Sequence, residues 1–167
     1  MACVYDLGRG VLRKVLMPGL HLKIPFWQKA KLFNTQTLEY DVSHEFDPAY
    51  ERALGDVPIA AKTRDEHQVA IEGTVLLRLD IQKIPAIWQT IGEDFVSKIV
   101  RPTIRSRVRM IASSYDLDDM AGKRRQEVEG AIKKELEHIF KERGIIVENV
   151  LLSEVSSEGN NQGHGQE

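Results

Sequence analysis

Hydrophobic and polar positions change their spacing about halfway along the chain. In the first half the dominant period is two, the repeat of a strand with one buried face. Residues 11–16 form a short apolar stretch that ends at Met17-Pro18-Gly19, a turn signal. A second alternating run follows, with Leu20, Leu22, Ile24 and Phe26 on one side and His21, Lys23, Pro25 and Trp27 on the other. Pro25 marks this predicted strand as an edge. Residues 32–42 alternate again, with Leu32, Leu38, Tyr40 and Val42 sharing a side, and polar residues 43–56 read as a loop. A short strand over 57–63, a polar turn at 64–67 and a long strand over 69–80 predict a hairpin. Its long arm places Val69, Ile71, Gly73, Val75, Leu77 and Leu79 on one face.

At Ile81 the period lengthens to that of a helix. Ile81, Ile84, Ile87, Trp88 and Ile91 form a stripe that Gly92 stops. Residues 93–114 give a second helical run, which Pro102 either breaks or restarts, because proline fits only a first turn. A third helix, capped by Asp116 or Asp118, runs to about Arg143 with Val128, Ile132, Leu136, Ile139 and Phe140 on its apolar side. Gly144 ends it as a C′ residue, and 145–155 is a closing strand. Four strands, about three helices and a last strand predict an α+β fold: an antiparallel sheet with an N-terminal hairpin, packed by the helices.

Composition narrows the function classes. The chain has 167 residues, 42% hydrophobic and 29% charged, with a net charge of -2, which suits a globular domain and not a nucleic-acid binder that relies on bulk charge. The single Cys3 excludes an intramolecular disulfide and a cysteine zinc cage. No window approaches the roughly 18 apolar residues of a membrane span, and charges interrupt every apolar run where a signal peptide would lie. The expectation is a soluble chain. Charge is unevenly placed: residues 1–31 carry six bases against Asp6, whereas residues 32–67 carry eight acids against three bases. The polar end, 156–167, is expected to be disordered.

Candidate chemistry is sparse. There is no phosphate-cradling glycine loop, no helical histidine pair, no nucleophile elbow and no apolar cleft assignable to a carboxylate pair. Neither an enzyme nor a cofactor is expected. Two features stand out. Lys98, Arg101, Arg105 and Arg109 share a helix face, which reads either as a solvated basic side or as a contact with acids such as Glu127, Glu129 or Glu135 of a neighbouring subunit. The N-terminal hairpin combines Leu20, Leu22, Ile24, Phe26 and Trp27 with Lys23, Lys29 and Lys31. Apolar side chains with an aromatic belt and flanking lysines fit a segment lying in a bilayer interface. Core packing beside a surface lysine cluster fits them equally.

Four stretches, in order, resemble the stomatin/prohibitin/flotillin (SPFH) family. They are Tyr5-Asp6-Leu7-Gly8-Arg9-Gly10-Val11-Leu12 with Pro18-Gly19-Leu20-His21-Leu22-Lys23-Ile24-Pro25-Phe26; Thr63-Arg64-Asp65 with the strand from Val69 to Val75; Arg101-Pro102-Thr103-Ile104-Arg105 with its flanks; and Gly144-Ile145-Ile146-Val147-Glu148. Together they span roughly 4–155, in the style of the prohibitin branch. The resemblance implies a scaffold at one membrane face that assembles into rings or cages, organises lipid and protein composition and holds partners such as membrane-bound proteases or channels. A soluble interaction module that regulates a membrane protease without touching lipid is the alternative. It also implies a membrane-proximal part over 1–56, a core over 57–155 and a tail over 156–167. The family's anchor before Tyr5 and heptads after Val155 are not found, so the chain reads as an isolated core domain that is itself soluble.

Overall fold

The fold was described from a computed structural model, which describes residues 1–22, 24–45 and 54–157. Two sheets organise it. The first has the order β2-β1-β3, built from β1 (Ala2–Asp6), β2 (Gly10–Val11) and β3 (Gln28–Leu32). Both neighbours run antiparallel to β1, in registers that put Tyr5 opposite Val11 and Cys3 opposite Lys31. The second sheet centres on β7 (Gln68–Leu79). On one side of it lie β4 (Leu38–Val42) and β6 (Ile59–Lys62), with β5 (Gly55–Asp56) beyond β4; on the other lies β8 (Ile145–Ser157). The predicted α+β class holds. Every pairing is antiparallel except β4 with β5, which is parallel.

Alternation in β7 works as the sequence implies. Val69, Ile71, Val75, Leu77 and Leu79 are buried, and the intervening residues are partly exposed. Their face receives α2 (Arg101–Ala112) and α3 (Arg125–Glu142), where Ile104, Val108 and Ile132 meet Val42, Ile59, Ile71 and Val75. On α3 the stripe Val128, Ile132, Leu136 and Phe140 is fully buried, the i, i+4 row that one helix face presents to a sheet. The shorter α1 (Ile84–Thr90) follows a 3-10 turn at Ile81–Lys83. Asp80 caps that turn by accepting from the Gln82 amide at 3.0 Å, and Gly92 terminates α1 at a φ of 90°.

Several expectations are corrected. The run 20–27 is not a strand. Pro25 and a left-handed Phe26 (φ 65°) interrupt it, none of its described residues is in a strand pairing, and its supposed buried side is exposed. The stretch 32–42 is not one strand either. Asn34 accepts from the Gln36 amide at 3.0 Å, a side-chain turn that sends the chain from the first sheet to the second. The chain therefore changes sheets between Leu32 and Leu38, so β4 hydrogen-bonds to the later strands β5 and β7 and, among the described residues, to none before it. Of the apolar stretch 11–16 only Val11 lies in a strand, with Leu16 in an isolated bridge to Ala2, and the strand β1 is not anticipated by the alternation. Neither Asp116 nor Asp118 caps α3: a π-helical turn at Asp119–Lys123 and a break at Arg124 precede it, and Asp116 binds Arg64 instead. Ser156 and Ser157 belong to β8, paired with Ala70 and Val69, and 158–167 lie outside the described residues.

The helices also secure the sheet's irregular places. Pro102 sits in the first turn of α2, preceded by a π-helical turn at Val96–Val100; the wider turn relieves the clash of a proline ring with the preceding carbonyls. Opposite, β8 bulges twice against β7, and three side chains on one stripe of α3 take up its backbone groups. Lys133 donates to the Glu148 carbonyl at 2.7 Å, the Leu152 amide donates to Glu129 at 2.9 Å, and Arg125 donates to the carbonyls of Leu152 and Ser153.

Candidate membrane-facing tip

Two turns lie side by side at one end of the first sheet. The β1–β2 hairpin turns through Leu7, Gly8 and Arg9, with Gly10 at a φ of 74°, the left-handed position that closes a three-residue hairpin loop. The second turn spans 24–28 and leads into β3. The Gln28 amide donates to the Ile24 carbonyl at 3.1 Å, and the Gln28 side-chain oxygen accepts from the Ile24 amide at 3.3 Å. Phe26 at its apex takes a left-handed conformation that bulky residues rarely adopt. The Leu7 amide donates to the Trp27 carbonyl at 3.1 Å, which joins the turns, and the Trp27 indole lies over Gly8, where a Cβ would sit 3.7 Å from the ring.

Between the turns lies Asp6, 6% exposed. One carboxylate oxygen accepts from the amides of Gly8 at 3.0 Å and Arg9 at 3.2 Å; the other accepts from the Gln28 side chain at 3.0 Å. The Gln28 hydrogen bond above all, with the two amides and the Arg9 charge, outweighs burial and holds this carboxyl below the usual range.

The candidate contact residues fall as follows. Leu22 and Phe26 are fully exposed and Leu20 nearly so, with Ile24, Trp27 and Leu7 more than half exposed; Met17 is also exposed, next to the Ala2–Leu16 bridge at the other end of β1. His21 Nε2 donates to the Met17 carbonyl at 2.7 Å, closing the loop around Pro18 and Gly19. Lys29 is exposed, and Lys31 forms a 2.6 Å ion pair with Glu93. Lys23 lies outside the described residues. Sequence reasoning missed Leu7 and the hydrogen bonds of Asp6. The imbalance of one acid against six bases in the first 31 residues singles Asp6 out, but nothing in the sequence gives Gln28 as its partner.

The basic stripe lies elsewhere, along α2. Arg101 donates to the Gly55 carbonyl at 3.0 Å, Arg105 pairs with Asp56 at 2.6 Å, and Arg109 donates to the Ala60 carbonyl at 2.9 Å. Lys98 donates to the Ile91 carbonyl at 3.0 Å. Of the acids named as facing groups, Glu127 binds Arg124 and Glu129 binds the Leu152 amide. The arginines thus fasten α2 to the edge formed by β5 and β6.

The first sheet joins the core through Trp88 on α1. Tyr5 and Phe33 both set their rings edge-on to it, with centroids 6.4 and 6.0 Å away. Beside this junction a cleft of about 480 Å³ is lined by Leu32, Phe33, Leu38, Leu54, Phe95 and Arg101, among others. Among the described residues no group of three His, Cys, Asp or Glu is placed to hold a metal ion, and no helix is long and apolar enough to cross a membrane.

Residues 1–162 match the family described as SPFH domain / Band 7. The chain is 25% identical to Prohibitin-1 of Saccharomyces cerevisiae over 154 residues, which are 92% of this chain and 48% of that protein. It is 23% identical to mitochondrial Prohibitin-3 of Arabidopsis thaliana over 156 residues, 93% of the chain and 50% of that protein. To Prohibitin-2 of Mus musculus it is 22% identical over 142 residues, 85% and 42% respectively. The chain spans about half the length of these relatives. With the family match running through both sheets and all three helices, the chain belongs to the SPFH domain / Band 7 family.

Proposed function

We propose that this chain is the lipid-docking core of a membrane-associated scaffold that works as an assembly of many copies. One observation carries the reading: Leu7, Ile24, Phe26 and Trp27 are exposed together on two joined turns, with Leu20 and Leu22 exposed in the segment that leads to them, where a folded core has no use for them. Burying a Leu or Phe side chain fully is worth about 1.5–3 kcal/mol, and each basic residue near an anionic surface adds about 1 kcal/mol. Those gains are opposed by lost rotational and translational freedom, so a single copy binds weakly and an array binds firmly through avidity. The apolar tip supplies the larger share, because Lys31 is already paired with Glu93.

Self-association belongs to the same proposal. The exposed Lys98 and Arg109 at the two ends of the stripe form the face offered to a neighbouring copy, with the partly exposed Arg101 and Arg105 between them. Membrane-bound proteases or channels are the partners such an array would hold.

The test is titration of the chain with vesicles of phosphatidylcholine containing phosphatidylserine, followed by flotation. Wild type is expected to float with the vesicles, and the double variant Phe26→Asp, Trp27→Asp to stay behind. Equal recovery of both would remove the tip from the proposal. Absence of flotation, with capture of the chain by a detergent-extracted membrane protein, would favour the lipid-independent reading. For self-association, Lys98→Glu should lower the mass seen by light scattering at high concentration.

A further inference from the structure

The tip's apolar side chains belong to two turns that are far apart in sequence, joined by the Leu7–Trp27 backbone hydrogen bond and by one side chain, that of Asp6, which binds both. Its first oxygen organises the Leu7-Gly8-Arg9 turn. Its second holds Gln28, whose own oxygen holds the Ile24 amide and so the turn carrying Phe26. We propose that Asp6 is a positioning residue for lipid docking: it locks Leu7, Ile24, Phe26 and Trp27 into one preformed wedge. The inference rests on the lipid-docking reading above.

The physical reason is preorganisation. A loop that must be ordered at the moment of binding loses affinity for each side chain immobilised. This one is ordered in advance. The αL conformation of Phe26, which a free loop would relax, is held by the reciprocal Ile24–Gln28 bonds, and those are anchored in turn by Asp6. The position of the carboxylate is otherwise hard to account for. An acid inside a lysine- and arginine-rich segment lowers its attraction for anionic lipid, and a buried one also loses its hydration. Asp6 is retained in spite of both because three donors converge on it.

Charge and clamp predict opposite outcomes for one substitution. Asp6→Asn makes the region more basic, so electrostatics alone predicts tighter binding to the same phosphatidylserine-containing vesicles. As a clamp the asparagine fails: its oxygen can still accept from Gly8 and Arg9, but its NH₂ meets the Gln28 NH₂. The expected result is about a tenfold weaker partition into vesicles, with faster hydrogen exchange at the Ile24 and Gly8 amides and an unchanged far-ultraviolet spectrum. Asp6→Asn with Gln28→Glu reverses donor and acceptor across the pair. It restores every hydrogen bond and the original net charge, and partition should return to near the wild-type value. Gln28→Ala, which leaves the hairpin turn intact, serves if Asp6→Asn does not fold and should weaken partition likewise. Binding by a folded Asp6→Asn, or by Gln28→Ala, that equals or exceeds wild type overturns the role of Asp6 and leaves lipid docking standing. Failure of wild type itself to bind removes lipid docking and the role of Asp6 with it.

Discussion

Single residues set the tolerances of this fold at a few crowded places. Gly73 lies in the middle of β7, where β8 bulges, and a Cβ there would run into the Leu151 carbonyl oxygen and come within 3.1 Å of the Leu152 Cα. Backbone cannot give way as a flexible side chain does. Gly73→Ala is therefore expected to lower stability by roughly 2–4 kcal/mol, measured by urea unfolding. Thr63 is a second such point. Its buried hydroxyl donates to Asp65 and accepts from the His67 amide at 3.1 Å, while Asp65 accepts from the Leu117 amide at 3.3 Å. This small network fastens the β6–β7 turn to the connection after α2. Thr63→Val keeps the volume and removes the donor, and about 1–3 kcal/mol should be lost in the same measurement.

At the scale of elements, the sheet's two outer sides are finished by side chains from the helices that cover it. The α2 arginines take the β5–β6 side, and Arg125, Glu129 and Lys133 on α3 take the bulges of β8. Arg105→Ala leaves Asp56, 9% exposed, without its closest cation, and destabilisation of about 1–3 kcal/mol is expected by thermal unfolding. Much of this level was legible in the sequence. The alternation of 69–80 and the apolar stripe of α3 each have one buried face, so period alone reveals them. The region 20–27 misled because exposed and buried apolar side chains alternate alike in the letters. What distinguishes them is the lack of a pairing partner, which no local pattern contains. The α2 stripe was legible as a shared face, but not its contacts within the chain: Arg101 and Arg109 meet the backbone carbonyls of Gly55 and Ala60, which have no sequence signature, and Arg105 meets Asp56. The clamp at Asp6 was hidden for a related reason: two of its partners are local amides, but the glutamine that links it to the second turn is brought alongside only by the β1–β3 register.

Taken whole, the molecule carries several carboxylates whose folded state favours ionisation. The Gln28 hydrogen bond lowers Asp6, the Thr63 hydroxyl lowers Asp65, and the Arg124 guanidinium lowers Glu127. A carboxylate lowered in the folded state adds stability that is complete above its unfolded pKa and is lost as pH falls through the folded one. The melting temperature should therefore stay level from about pH 7 to about pH 5 and drop in more acid solution. Asp65→Asn should flatten that acid limb while lowering the plateau. Differential scanning calorimetry across the series reads both. The junction between the sheets has a consequence of another kind. If the tip is held by a bilayer that flows or bends, the resulting tension enters through β1 and β3. It passes to the core through Tyr5 and Phe33 resting on one indole, aided by the Lys31–Glu93 pair. Trp88 is thus a mechanical coupling, and the first sheet is the part that would peel away under load while the larger body stays whole.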